Sequence, residues 1–275
     1  MPPPYLSVVM PTYNRADLLP EILESYLVQR DVSAEIVVVD DQSTDTTVAL
    51  LEQYADQGVR CVTNTRRKGV ATARDVGVEQ ARGEVIVVAD SDDPSYPTRL
   101  RLIQDHFQGH PDTDVFYTNF DLWFFETGEV RPRFFQPFNR ELLTIVNFIP
   151  NASSAYRRAS FKRLTDGYDP QFEIGEDYDL WLTFAERGAI FRADPSSQVR
   201  VRMHAQSVRS LQRDRHKGFL TLNRVKHHLP LTPSVKRLKE LAEPEVAAFF
   251  TSPEKSDLWF GPPAAPQDLT GTNDR

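Results

Sequence analysis

Cysteine is nearly absent: the 275-residue sequence holds only Cys61, which excludes an intramolecular disulfide and a cysteine-rich zinc site. Within the stretch VRCVTN it reads as a buried core thiol. No apolar run approaches the roughly 20 residues needed to span a bilayer, and the start MPPPY lacks the basic and apolar regions of a secretory signal. The expected compartment is the cytoplasm. An excess of positive charge is also missing: the formal charge of −7 argues against a general nucleic-acid binder. Neither a G-x-G-x-x-G turn nor a G-K-[ST] loop occurs, which sets aside a dinucleotide-dependent oxidoreductase and a P-loop nucleoside triphosphatase.

What is present suits one α/β domain with a smaller appendage. Apolar content of 40% and charged content of 26% are ordinary for a globular chain. The run YLSVVM (5–10) is followed by helical spacing over Ala16–Gln29, through Leu18, Leu19, Ile22, Leu23, Tyr26 and Leu27. The rhythm recurs in EIVVVD (35–40) with a helix near Thr46–Gln57, VRCVTN (59–64) with Val70–Ala81, and EVIVVA (84–89) with Thr98–His110. Successive strand–helix units predict a parallel sheet, and runs such as IVVV and VIVV predict that both of its faces are buried.

Beyond residue 111 the pattern changes to DVFYTNFDLWFF, the turn signal Thr127-Gly128, and EVRPRFF, which predicts strands and a hairpin. A helix is expected near Asp177–Arg187, and VRVRM (199–203) alternates like a strand. The resulting division is a main domain over 1–230, with halves 1–110 and 111–230, then a helical extension over 231–275. Its last stretch, GPPAAPQDLTGTNDR, has the composition of a disordered end.

In an open α/β sheet, ligands bind beyond the carboxyl ends of the strands. The loops there are PTYNR (11–15), DDQSTD (40–45), TRRKG (65–69) and DSDDP (90–94). Each has a plain reading. Asn14 or Asp17 can cap the first helix, Ser43 or Asp45 the second, and Asp92 or Asp93 the fourth. Tyr13 can also stack on a nucleobase, while Asp40 and Asp41 have no evident local task and can accept from a base or ribose. The third loop and its helix bring Arg66, Arg67, Lys68 and Arg74. Three carboxylates, Asp90, Asp92 and Asp93, repel unless a cation or proton sits among them. Hard oxygen ligands in such a cluster suit Mg2+ or Mn2+, with substrate phosphates completing the shell.

Later segments add GEDYDLW (175–181), with Glu176 and Asp177 at a helix start, and His204 at a strand end. Glu176 and Asp177 can serve as ordinary helix-start carboxylates, and His204 can be structural or a metal ligand. Basic residues dominate from Arg192 to Lys217, as a solvated face or as a contact for a phosphorylated ligand or an anionic membrane surface.

Together VVMPTYNR, VVVDDQSTD, ADSDDPSYP with TRL after it, and YDPQFEIGEDYDLWL resemble family 2 glycosyltransferases of the nucleotide-diphospho-sugar transferase (GT-A) fold, from about Ser7 to Ser210. The resemblance implies a Rossmann-like, mostly parallel sheet with helices on both faces and a smaller mixed acceptor-side region. It implies a nucleotide-diphosphate sugar donor, commonly of UDP, a Mn2+ or Mg2+ ion and a hydroxyl acceptor, in polysaccharide, lipopolysaccharide or other glycoconjugate synthesis. Pro11, Thr12 and Tyr13 would then line the nucleoside and Asp41 would read the base. Arg15, Arg66, Arg74 and Ser91 join the nucleotide side. Asp90 and Asp92 match the DxD element, with Asp92 on the cation and Asp90 near the ribose or metal shell. Asp177 becomes the catalytic base and His204 a metal residue, while Asp93, Glu176, Trp181 and Ser153 take acceptor or supporting parts.

That chemistry uses one carboxylate to deprotonate the acceptor and a metal to stabilise the departing diphosphate, with inversion at the sugar. Processive relatives carry Gln-x-x-Arg-Trp; here Gln212-Arg-Asp-Arg215 precedes His216, so transfer of a single sugar is expected. The acceptor side is expected around Phe148–Tyr156 and the hairpin near Trp123. An aspartate-nucleophile phosphohydrolase would place its Asp-x-Asp after the first strand, not the fourth. The non-enzymatic alternative is a degenerate module that binds nucleotide sugar and acts through protein partners.

Overall fold

The computed structural model describes residues 3–29, 31–203 and 213–252, without the side chains of Arg213 and Asp214. His204 and the proline-rich tail thus lie outside the described residues. Four strands, β1 (Leu6–Thr12), β2 (Ala34–Asp40), β3 (Val59–Thr63) and β4 (Val85–Val88), are each followed by a helix: α1 (Leu19–Leu27), α2 (Thr47–Glu52), α3 (Val70–Gln80) and α4 (Arg99–Gly109). The strands lie parallel in the order β3-β2-β1-β4.

Alternation along these strands decides which helix each side chain meets. Val8, Met10, Ile36, Val38, Val85 and Val87 join α1 and α4 in one buried cluster. Val9, Ile86 and Val88 face the other way, toward Ala71 and Val78 of α3. Burial of a valine-sized side chain contributes about 1.5–3 kcal/mol. At Gly77 the helix approaches closely enough that a Cβ would stand 2.3 Å from Val9 Cγ1. Cys61 is half-buried beside the first cluster, and burial pushes its thiol up to about 11.

The second half is mixed. It comprises β5 (Val115–Phe124), β6 (Glu129–Pro132), α5 (Arg140–Ile145), β7 (Ser154–Arg157), α6 (Arg158–Leu164), α7 (Glu176–Glu186) and β8 (Phe191–Met203). Strand β7 runs antiparallel between β4 and β5, β6 closes the expected hairpin on β5, and β8 lies parallel to β5. The fold is therefore the α/β architecture expected, with a parallel first half and a mixed second half.

Several local expectations fail. The caps of α1, α2 and α4 are Leu18, Thr46 and Thr98, none with a side-chain capping bond of its own, so neither Asn14 nor Asp17 caps α1 and neither Asp92 nor Asp93 caps α4; Ser43 does not cap α2, whereas Asp45, one residue before the cap, accepts the Thr47 N–H at 2.9 Å. Pro20 delays α1, which begins at Leu19 rather than Ala16. The strand VRVRM extends back to Phe191, because β5 supplies a paired edge for the polar residues before it.

After the described chain resumes, α8 (Arg213–Lys226) is followed by α9 (Val235–Leu241) and α10 (Pro244–Phe250), two short helices in place of one charged helix. Leu238, Val246 and Phe250 enter the same buried cluster as Trp181 and Tyr178. Arg224 donates to the carbonyls of Thr144 and Ile145 at the end of α5. His227 is buried with Nε2 on Asp179 and Nδ1 on Glu186, 2.9 Å each, while Lys226 also reaches Asp179 and Asp169. Burial pulls the imidazole pKa down, but the bonds to Asp179 and Glu186 outweigh it and raise the value above 6.5.

This clip between α7 and α8 has a pH signature. Protonated His227 stabilises the fold fully below the ordinary imidazole pKa, and that contribution is lost as pH rises through the raised one. His227→Gln is expected to cost about 2 kcal/mol in urea unfolding at pH 6. The difference from wild type should shrink at pH 9.

Candidate active site

The first three loops beyond the sheet are stitched into one surface by reciprocal bonds. Asn14 N–H donates to Ser43 Oγ at 2.9 Å, Thr44 N–H returns a bond to Asn14 Oδ1 at 2.8 Å, and Arg15 N–H reaches Thr47 Oγ1 at 3.0 Å. Gln42 Nε2 then donates to the carbonyls of Asn64 and Arg66. Asn14 and Gln42 both hold positive φ, at 49° and 65°. Such strain persists where surrounding structure fixes it.

Asp40 and Asp41 do have local tasks, contrary to the expectation. Asp40 accepts Ser43 N–H within its own turn. Asp41 is buried and accepts Asn64 Nδ2 at 2.7 Å and Gly69 N–H at 2.9 Å, tying β2 to the start of α3. Its backbone N–H in turn donates to Thr12 C=O at 2.8 Å. Pro11 and Thr12 are buried at the end of β1, whereas Tyr13 is 42% exposed. The Lys68 ammonium lies over the Tyr13 ring at 3.3 Å, so a base stacking there has to displace it.

The charged centre forms where β4 ends against the N-terminus of α7. Arg74 of α3, its side chain only 4% exposed, donates Nη2 to Asp90 at 2.7 Å and Nε to Glu176 at 3.4 Å. Burial disfavours that charge, but Asp90 and then Glu176 outweigh it and raise the guanidinium pKa. Burial, and next the charge of Asp177, push the Glu176 carboxyl above the usual carboxylate range, while Arg74 pulls it back. Arg74 Nη1 has no hydrogen-bond partner. The arginine expected on the nucleotide side thus joins the two halves of the chain from inside.

Asp177 is the second residue of α7, following Glu176 and the cap Gly175, whose φ of 78° fits glycine. It lines a cleft with Asp90, Asp93, Phe120, Arg133 and Asn147. Asn147 Nδ2 donates to Asp177 Oδ2 at 3.1 Å, leaving Asn147 Oδ1 buried without a partner. The sequence reading missed Asn147; its only signal was its place just before the Phe148–Tyr156 stretch.

Other expected residues fall elsewhere. Asp92 remains 28% exposed and pairs with Arg15 at 3.8 Å. Ser91 is buried between the two DxD carboxylates in sequence. Arg66 is held by Glu79 at 2.7 Å, and Ser153 donates to Thr118 C=O, so neither is brought into the cleft. Trp181 is fully buried in the core, with Tyr156 and Phe184 as ring neighbours, and does not reach an acceptor. Asp93 accepts the Arg202 N–H at 2.8 Å. The basic stretch is not a simple solvated face, since Arg192 pairs with Asp112, Arg202 with Glu21 and Arg215 with Glu173.

Among the described residues no three His, Cys, Asp or Glu side chains form a metal cage. Asp92 offers one accessible carboxylate, which suits a hard cation that takes the rest of its shell from phosphates and water. No helix among the described residues is long and apolar enough to cross a membrane.

With this geometry in place, comparison with known proteins is specific. The family model for "Glycosyl transferase family 2" matches residues 7–165, more than half the chain. Uncharacterized protein y4gI of Sinorhizobium fredii is 34% identical over 189 residues, 67% of this chain and 20% of that protein. The Escherichia coli UDP-Glc:alpha-D-GlcNAc-diphosphoundecaprenol beta-1,3-glucosyltransferase WfaP is 28% identical over 206 residues, 74% of this chain and 79% of that one. The Rhizobium meliloti succinoglycan biosynthesis protein ExoO is 44% identical over 98 residues, 36% of this chain and 28% of that protein, so the chain spans well under half of the length of y4gI and ExoO. S. aureus TarS in complex with UDP-GlcNAc superimposes with a TM-score of 0.67 at 20% identity, over 92% of this chain and 78% of that one. The mannosyltransferase PcManGT of Pyrobaculum calidifontis, in complex with GDP-Man and Mn2+, gives 0.64 at 20% identity, over 91% and 71%. These likenesses carry the GT-A fold.

Removing Arg74 leaves two carboxylates without their shared cation. Arg74→Met is expected to destabilise the protein by about 3 kcal/mol in denaturant unfolding. Adding Asp90→Asn should recover a measurable part of that loss.

Proposed function

The chain belongs to glycosyl transferase family 2, and from that membership we propose an inverting, divalent-metal-dependent glycosyltransferase that moves a single sugar from a UDP-sugar to an acceptor hydroxyl. The observation that carries this reading is the meeting of Asp177 with Asp90 and Asp93, from distant parts of the chain, around one cleft. The relatives' names add support: WfaP uses a UDP-sugar, and ExoO is a succinoglycan biosynthesis protein. Synthesis of a cell-envelope glycan is the matching context.

In this reading Tyr13 receives the nucleobase once Lys68 moves aside, and Asp41 contacts the base through lone pairs not already used by Asn64 and Gly69. Pro11 and Thr12 shape the nucleoside side, and Asp90, fixed by Arg74, faces the ribose. Asp92 would hold Mn2+ or Mg2+, with His204 a further candidate, and such an ion would supply Lewis-acid stabilisation of the leaving diphosphate. Arg15, within reach of Asp92, then turns to the phosphates.

Asp177 takes the acceptor proton. Asn147 orients the carboxylate by its Nδ2 bond, and its remaining Oδ1 accepts from the incoming substrate. Glu176 sits beside Asp177 but faces Arg74, and burial together with the neighbouring Asp177 charge raises its pKa above the usual carboxylate range. One carboxylate suffices because the departing diphosphate needs charge stabilisation, not a proton. Peripheral contact with a membrane would bring lipid-linked acceptors to the cleft.

The test uses UDP-glucose and UDP-N-acetylglucosamine with Mn2+ and a panel of alkyl glycosides, read by UDP release and product mass. Wild-type protein is expected to transfer one sugar. Asp177→Asn should bind UDP with wild-type affinity while transfer falls at least about 100-fold. Transfer by Asp177→Asn at the wild-type rate would remove Asp177 from the role of base.

A further inference from the structure

The segment after the DxD aspartates runs along β8 and is pinned to it at successive points. Tyr96 N–H donates to Gln198 C=O at 3.0 Å, Arg200 N–H to Pro94 C=O at 3.0 Å, and Arg202 N–H to Asp93 Oδ1 at 2.8 Å. Thr98 Oγ1 adds a bond to Gln198 Oε1 at 3.0 Å. Arg202 then returns to the same loop with its side chain. Its Nε donates to Asp92 C=O at 3.2 Å, and its Nη2 to Glu21 of α1 at 2.6 Å.

The guanidinium is 3% exposed, and its carbon lies 4.4 Å from the ring centroids of both Trp123 and Phe125 on β5 and the hairpin turn. Glu21 supplies the countercharge and the rings add cation–π attraction, so the side chain has little freedom left. One residue of β8 therefore holds the carbonyl of Asp92 and the carboxylate of Asp93. The peptide joining them is fixed on both sides, so the backbone from which the Asp92 carboxylate extends is held in place. Asp93, which no helix cap explains, acquires its part here.

We propose that Arg202, acting with Asp93, is a positioning residue that preorganises Asp92 for the divalent cation. The inference rests on the metal-dependent reading above. Arg202 does not touch the ion; it sets the backbone from which Asp92 reaches it. Partners beyond the first ligand shell typically alter metal affinity about 10–100-fold. Lysine at this position keeps the charge and the stack on the rings, but a single ammonium does not reproduce the fork that spans Asp92 C=O and Glu21.

The test is calorimetry of UDP binding with and without Mn2+, on wild type, Arg202→Ala and Arg202→Lys, with circular dichroism to confirm folding. Wild type is expected to show Mn2+-dependent tightening. Arg202→Ala should weaken Mn2+ at saturating UDP at least about tenfold, while UDP affinity without metal stays within about twofold. Arg202→Lys should fall between the two, and it carries the test if the alanine variant does not fold. Wild-type Mn2+ affinity in the folded variants would overturn the proposal, as would equal losses of UDP binding with and without metal. If wild type itself shows no metal-dependent binding, the metal-dependent reading fails and the positioning role fails with it.

Discussion

Negative charge crowded at the end of β4 is the constraint around which the rest of this structure is arranged. Asp90, Asp92, Asp93, Glu176 and Asp177 converge there, and like charges in a shared, partly buried space are tolerated only when cations, protons or hydrogen-bond donors offset them. Asp90 has buried Arg74, Asp93 has the backbone of Arg202, and Asp177 has Asn147. Glu176 faces Arg74 too, at longer range, and its burial raises its pKa. Asp92 has the more distant and exposed Arg15. These pairings differ in tightness, from the 2.7 Å contact of Asp90 with buried Arg74 to the 3.8 Å contact of Asp92 with Arg15.

The fold serves these pairings. Arg74 can reach both Asp90 and Glu176 because α3 packs closely on β1, where Gly77 leaves no side chain between helix and sheet. Helix α7 is fixed from its other side by α8, through Asp179, Lys226 and His227. Asp177, the proposed base at its first turn, is thus positioned by contacts on opposite faces. A buried ion pair is weak evidence of net stability, so the value of Arg74 to the protein lies more in placing Asp90 and α7 relative to each other than in free energy of folding.

Much of the first half was legible in the sequence, because runs such as IVVV and VIVV between helical repeats have few other interpretations. The DxD and Glu-Asp pairs were legible as a resemblance, since their spacing and order carry it. The second half was harder for physical reasons. Strand β7 is the short segment SAYR, and it is a strand only because β4 and β5 flank it. Asn147 and Arg202 were invisible as site residues, since each takes its meaning from a partner 30 or 109 residues away. The failed helix caps share that origin: Asn14 and Asp93, plausible as local caps, bond instead to a neighbouring loop and to β8.

The division of labour among the carboxylates can be seen directly by anomalous diffraction from a crystal grown with UDP and Mn2+. The account predicts a Mn2+ peak coordinated by Asp92 and the diphosphate, with Asp90 still bonded to Arg74 and Asp177 outside the coordination sphere. A Mn2+ ion ligated by Asp177, or one that draws Asp90 away from Arg74, would contradict it.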